Sequence, residues 1–203
     1  MAPADIPIVV LGAGGSTRMR GRDKLLEEVD GAPLIRRQAR MARAVTAGPV
    51  IVALPPHPHP RHDALAGLDV TALPVPEAAE GLGASLRTAV AHLPDEADCA
   101  MLLLGDLPEI TAEDLRRLLR AVDPASDTLV WRGATEDGAP GHPIVIRAPL
   151  FPRFGALRGD DGGRSVLADA GDRMRLVPLP GQRARRDLDT PEDWAAWRAE
   201  GNR

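Results

Sequence analysis

The sequence predicts an α/β fold: a single three-layer domain over residues 1–203, with a mostly parallel mixed sheet and helices on both faces. Three observations carry this expectation. A chain of 203 residues is long enough for one domain with a sizeable core and too short for two ordinary ones. Strand-length apolar runs alternate with helical stretches, and strands separated by helical crossovers pair in parallel and bury both faces. A glycine-rich loop follows the first apolar run directly, and sheets of this kind take their ligands at the carboxyl ends of the strands.

Taken in order, residues 6–11 form a short continuous apolar run that reads as the first strand. After the glycine-rich loop and Pro33, the residues Leu34, Ile35, Ala39, Met41, Ala42 and Val45 recur with helical spacing. Residues 50–54 read as a second strand, 62–66 as a short helix and 70–75 as a third strand. Residues 85–93 look helical, and 99–104 are a fourth, fully buried strand. Thr111 and Asp114 have the spacing of a capping box, opening an amphipathic helix through Val122. Strands follow at 128–131 and 143–146, weaker helical stretches at 150–156 and 164–170, and a strand at 175–178. Thr190, with Pro191 at the first helical position and Asp193 three residues on, starts a final helix. The loops after Leu11, Leu54, Val75 and Leu104 are therefore where chemistry is expected.

Composition narrows the function classes. Asp plus Glu number 29 against 25 for Lys plus Arg, so the net charge of −4 argues against a general nucleic-acid coat. The longest apolar runs fall far short of the about 18 to 20 residues that a membrane helix needs. The start of the chain carries Asp5 and lacks a basic region before an apolar one, so it does not read as a secretory signal. Cys99 is the single cysteine and lies in an apolar run, which fits a small core residue of a cytoplasmic protein. The 25 basic residues include one lysine, Lys24. A drift toward arginine has no reason to spare that position unless a compact ammonium group is required there.

The loop Leu11-Gly12-Ala13-Gly14-Gly15-Ser16-Thr17-Arg18-Met19 lets backbone amides converge on an anion, with Ser16, Arg18 and Lys24 adding donors and charge. An ordinary strand-to-helix turn is the alternative. Neither common phosphate motif is present: Lys24 lies too far from the glycines for a P-loop, and Thr17 stands where a dinucleotide fingerprint needs its third glycine. In Leu104-Gly105-Asp106-Leu107-Pro108, Asp106 follows a buried strand, where it would hold Mg²⁺, close an Asx turn or cap a helix. Asp187 and Asp189 point the same way along an extended segment, so either can face Asp106. His57, His59 and His62 invite a zinc reading, but the intervening prolines splay the chain and no further ligand completes a tetrahedral site. That loop is placed instead to wall a base pocket. Arg116, Arg117 and Arg120 read as a solvated helix face, and Trp131, Trp194 and Trp197 as packing residues.

These motifs resemble the molybdenum cofactor nucleotidyltransferases, of the glycosyltransferase-A-like superfamily. Its cytidylyl branch typically opens with L-A-A-G-x-S-x-R-M-G, then a lysine followed by L-L, then G-x-P-L. The matching residues here are Leu11, Ala13, Gly14, Ser16, Arg18 and Met19, then Lys24-Leu25-Leu26, then Gly31-Ala32-Pro33-Leu34. Gly12 stands in place of an alanine, and Arg20-Gly21 adds one residue before the lysine. The longer spacing and Asp23-Lys24 are features of the guanylyl branch, which however has Gly at the place of Ala13. G-D-x-P at Asp106 resembles the family's metal-binding aspartate, and 187–193 its closing D-x-D-T-P-E-D, which favours Asp189 over Asp187 as second ligand. Gly81-Leu82-Gly83-Ala84-Ser85-Leu86 resembles a loop whose serine and backbone face the nucleotide. Gly141-His142-Pro143 and 159–164 resemble elements on the acceptor side.

The resemblance implies a Rossmann-like nucleotidyltransferase fold and a Mg²⁺-dependent transfer of CMP from CTP to the terminal phosphate of molybdopterin cofactor, releasing pyrophosphate. It assigns Arg18 and Lys24 to catalysis, and Leu11, Ala13, Gly14, Gly15, Ser16, Gly83 and Ser85 to the nucleotide. Asp106 and Asp189 fall to Mg²⁺, and His142 and Arg164 to the acceptor. The expected partners are thus a nucleoside triphosphate, the phosphorylated cofactor and a molybdenum hydroxylase, with no nucleic acid and no membrane. The alternatives are guanylyl transfer to the same acceptor, a sugar- or polyol-phosphate nucleotidyltransferase, and a non-catalytic nucleotide-binding partner of a molybdenum enzyme. The last would not need both metal carboxylates.

Overall fold

The computed structural model describes residues 5–201. The apolar run at the start becomes strand β1 (Ile8–Leu11), buried along its whole length. Two short strands, β2 (Glu28–Val29) and β3 (Ala32–Pro33), pair antiparallel beyond the glycine loop. The sequence reading missed this hairpin, although Asp30-Gly31 signals one. Both residues have positive φ, 54° and 76°, as the two central positions of a type I′ turn require. Helix α1 (Leu34–Arg43) then buries Leu34, Ile35, Ala39, Met41 and Ala42, the expected face.

Strand β4 (Val50–Leu54) stands where it was expected, helix α2 (Pro60–Ala64) begins earlier than the spacing suggested, and β5 (Thr71–Pro74) follows. Helix α3 (Leu82–Val90) begins three residues before Ser85, so the Gly81-to-Leu86 motif is the first turns of a helix and not a loop. Strand β6 (Cys99–Leu104) and helix α4 (Ala112–Ala121) match their sequence signals, and the Thr111–Asp114 capping box is formed in both directions. Strand β7 (Val130–Ala134) lies further along than the expected 128–131, and β8 (Pro140–Arg147) is longer than 143–146. Here tertiary pairing overrides residue preference, because β9 extends the ladder through Gly133 and Ala134, and β8 pairs with Ala134 past a register shift at Gly133. Helices α5 (Phe151–Phe154) and α6 (Arg164–Ala168), strand β9 (Met174–Pro178) and helix α7 (Pro191–Ala199) complete the chain.

The seven long strands form one sheet in the order β5-β4-β1-β6-β8-β7-β9, in which β8 alone runs against the others. Alternate residues serve opposite faces. Ile8 and Val10 join the core under α1, α4 and α7, whereas Val9 and Leu11 join the core under α3, α5 and α6. The expected three layers are thus present. Trp131, Trp194 and Trp197 are buried core residues. Among the described residues, no helix is long and apolar enough to cross a membrane.

Register brings the ends of β1, β4 and β6 level, with Leu11 beside Ala53 on one side and Leu104 on the other. The ladders continue one residue further, through Gly12 N–H to Ala53 O (2.8 Å) and Gly105 N–H to Leu11 O (2.9 Å). A Cβ on Gly105 would lie 2.8 Å from Leu11 O, so only glycine lets the chain carry Asp106 this close to the glycine loop.

Candidate active site

The glycine loop leaves β1 with a row of free donors. Among the described residues, no hydrogen bond engages the backbone N–H of Ala13, Gly14, Gly15 or Ser16. A Cβ on Gly14 would meet nothing within 4 Å, and one on Gly15 would meet only Thr17. These glycines therefore face open space, which suits a cradle for an anion. Ser16 sits in the left-handed region, with φ 51°. Its hydroxyl accepts from the Lys24 N–H at 3.2 Å and from Arg61 at 3.0 Å, so what Ser16 offers a ligand is its amide. Leu11 and Ala13, both assigned to the nucleotide, are buried, and Ala13 packs its methyl group in the cluster that includes Ala53, Val75 and Ala84.

Beside the loop stand the acids. Asp106, Asp187 and Asp189 each present a carboxylate oxygen, all within 4.8 Å of one another. The sequence reading preferred Asp189 to Asp187 as partner of Asp106, but the fold brings both. Asp187 is an exposed residue, yet desolvation of its carboxyl and then the charges of Asp189 and Asp106 push its pKa above the usual carboxylate range. Lys24 Nζ donates to Asp106 Oδ2 at 2.6 Å and to Asp189 Oδ1 at 2.7 Å. Burial alone would lower the pKa of this ammonium. The charges and hydrogen bonds of Asp106 and Asp189 outweigh burial and hold it above its ordinary value. Arg18 pairs with Asp189 Oδ2 at 2.6 Å. Both cations expected on a triphosphate are thus drawn to the acids, because three clustered carboxylates carry more charge than one ammonium balances.

The donor set fits a hard divalent cation. Asp106 Oδ1 is buried and has no hydrogen-bond partner among the described residues, and carboxylate oxygens are the ligands Mg²⁺ or Mn²⁺ prefers. Asp189 is set in place by the start of α7. The Asp193 carboxylate accepts from the N–H groups of Asp189 (3.2 Å) and Thr190 (2.8 Å), while Thr190 caps the helix. Replacing Thr190 by Ala is therefore expected to cost about 1 kcal/mol of stability. A urea titration in which the variant's midpoint matches that of the parent would dismiss the cap.

The remaining expected residues fall into two groups. Gly83 N–H donates to Gly159 O at 2.9 Å, and a Cβ on Gly83 would lie 2.8 Å from that same oxygen. Gly83 thus lacks a side chain in order to dock the 159–163 segment, and its amide is already engaged. Ser85 is buried inside α3. His142, on β8, lies near enough for the Asp106 charge to bear on it, but burial and then Arg132 push its pKa down to about 4, so it is neutral near pH 7. Leu82, Leu86, His142, Gly162 and Gly163 line one small pocket, which joins the elements assigned to nucleotide and acceptor. Arg164 is exposed at the start of α6.

The MobA-like NTP transferase domain pattern matches residues 8–175, the stretch that holds the loop, Lys24 and Asp106. The chain belongs to that family. A curated relative of this MobA-like domain, the "Probable molybdenum cofactor guanylyltransferase" of Synechococcus elongatus, is 33% identical over 91% of this chain and 94% of its own length. The "Bifunctional protein GlmU" of Sorangium cellulosum is 32% identical over 71% of this chain. The chain spans about a third of the length of such GlmU relatives. Among solved structures, Rv0371c of Mycobacterium tuberculosis superposes with a TM-score of 0.81 at 27% identity, covering 96% of this chain and 98% of the other. The same protein is known in complex with manganese, with a TM-score of 0.75 at 27% identity, covering 95% of this chain and 97% of the other.

Sequence reasoning on this MobA-like domain missed Arg61. Its side chain is buried beneath the glycine loop, and 24 arginines in the chain give no signal to single it out. The histidines around it serve local structure. His57 stacks on His62 at 3.6 Å, and His59 Nδ1 accepts the Arg61 N–H.

Proposed function

We propose that the protein transfers a nucleoside monophosphate from a triphosphate, CTP, to the terminal phosphate of molybdopterin cofactor. The supporting observation is the juxtaposition of four loop amides, unpartnered among the described residues, with Lys24, Arg18 and the Asp106–Asp187–Asp189 cluster at one end of the sheet. The amides of Ala13 to Ser16 bind the triphosphate, and Arg18 and Lys24 turn from the acids to its oxygens. A divalent cation held by Asp106 and Asp189, Mg²⁺ in this reading, supplies neutralisation of phosphate charge. An acceptor phosphate is already an anionic nucleophile, so no residue is needed as general base. Its oxygen forms the bond to the α-phosphorus while the α–β bridge breaks and pyrophosphate leaves, and catalysis consists of positioning and charge compensation. Arg164 and neutral His142 stand on the acceptor side. The reading is of a cytoplasmic enzyme of one domain whose product passes to a molybdenum hydroxylase.

The choice of base rests on Ala13. Ala13 stands where the guanylyl branch has glycine, and its methyl group, packed against the core beneath the loop, is read as leaving less room for a purine. CTP should therefore be used on the order of a hundredfold better than GTP, since a shaped pocket that leaves hydrogen bonds unpaired discriminates at that level. Ala13→Gly should narrow the gap. Guanylyl transfer is the second reading, favoured by the Asp23-Lys24 spacing and by the name of the Synechococcus elongatus relative. Pyrophosphate release from each of the four nucleoside triphosphates, with and without molybdopterin cofactor, decides between them. Equal or better use of GTP rejects the cytidylyl assignment, and release that does not depend on the cofactor rejects the acceptor.

A further inference from the structure

We infer that Arg61 is a positioning residue that aims the loop amides at the triphosphate, an inference that rests on the nucleotidyl-transfer reading. Its side chain is 1% exposed, yet the guanidinium makes five hydrogen bonds. Nη1 donates to Gly12 O at 2.6 Å and to Gly14 O at 2.8 Å. Nη2 donates to Ser16 Oγ at 3.0 Å and to Asp23 Oδ1 at 2.7 Å, and Nε donates to Asp23 Oδ2 at 2.8 Å.

The consequence follows from peptide geometry. In a planar trans peptide the C=O and the following N–H point in opposite directions. Holding Gly12 O and Gly14 O on the buried side therefore turns the N–H groups of Ala13 and Gly15 to the open side. Those amides are two of the four with no partner among the described residues. With glycine at 12, 14 and 15 the backbone has little preference of its own, so the aim must be imposed from outside the loop. Asp23 completes the arrangement. Both its oxygens take the guanidinium fork, and Oδ1 also accepts the Leu25 N–H at 2.9 Å, which ties the staple to the segment that carries Lys24. A lysine would carry the charge but not the planar set of three nitrogens that these five acceptors require.

The test uses the full chain labelled with ¹⁵N, with inorganic triphosphate as probe, so that neither base recognition nor turnover enters. In the parent protein, the amide signals of Ala13 and Gly15 should shift on titration. Arg61→Lys should raise the Kd for triphosphate at least tenfold while the signals of β1, β4 and β6 stay in place. Asp23→Asn, which keeps Oδ1 and loses the acceptor for Nε, should raise it about threefold, and it decides the matter should Arg61→Lys not fold. In turnover, the KM for nucleotide should rise by the same factors with the acceptor KM unchanged. A triphosphate Kd in the folded variants equal to the parent's, or a matching rise in both KM values, overturns the role of Arg61. Failure of the parent protein to bind triphosphate would instead overturn the nucleotidyl-transfer reading itself.

Discussion

Replacing Asp106 by alanine should reduce pyrophosphate release by about 10³-fold while leaving weak nucleotide binding, because one residue here serves two charges. Its Oδ2 holds the Lys24 ammonium at 2.6 Å, and its Oδ1 is a buried oxygen with no hydrogen-bond partner among the described residues. Loss of a preorganised charge at a reacting phosphate typically costs about 10²- to 10³-fold, and here the proposed metal ligand and the anchor of Lys24 go together. The amides of Ala13 to Ser16 do not depend on Asp106, so the phosphates keep part of their site. Calorimetric titration with CTP and Mg²⁺, alongside turnover, separates the two effects. Unchanged turnover in the variant would remove Asp106 from the site.

Lys24→Arg should lose about 10²-fold in turnover although the charge is kept. The ammonium sits between carboxylates from two distant segments, at 2.6 and 2.7 Å, with the side chain 14% exposed. A guanidinium is a wider, planar group and cannot enter that gap unless Asp106 and Asp189 move apart. Overpacking of this kind commonly costs about 1–3 kcal/mol, and here it falls on the groups proposed to hold the metal. The loss should therefore appear in kcat and in the metal concentration needed for half-maximal rate. Parental kinetics in this variant would mean that the only lysine of the chain is an accident of composition.

Much of this architecture can be read directly from the chain because its causes are local. Four-residue apolar spacing marks α1, unbroken apolar runs mark β4 and β6, and the capping boxes at Thr111 and Thr190 mark the starts of α4 and α7. Each depends on residues a few positions apart, so the periodicity of one element suffices. The bounds of β7 and β8 were harder to read, since Gly133 and Ala134 become strand only through their partners across the sheet. The β2–β3 hairpin was legible in Asp30-Gly31 but is only two residues a side, too short for alternation to show.

The site divides in the same way. Composition alone singled out Lys24, and the positions of Asp106 after a buried strand and of Gly14 and Gly15 after the first one made them candidates. What Lys24 touches was not legible, for its two partners lie 82 and 165 residues away along the chain. That Asp187 joins Asp106 and Asp189, that Gly83 serves packing, and that Arg61 lies beneath the loop are likewise consequences of the whole fold. Hydrophobic period and capping act within an element, so the sequence by itself determined the main helices and strands, their order and the type of sheet. Electrostatic pairing and close backbone approach act between elements, and only the tertiary structure decided which acids cluster beside Lys24 and which arginine lies beneath the loop.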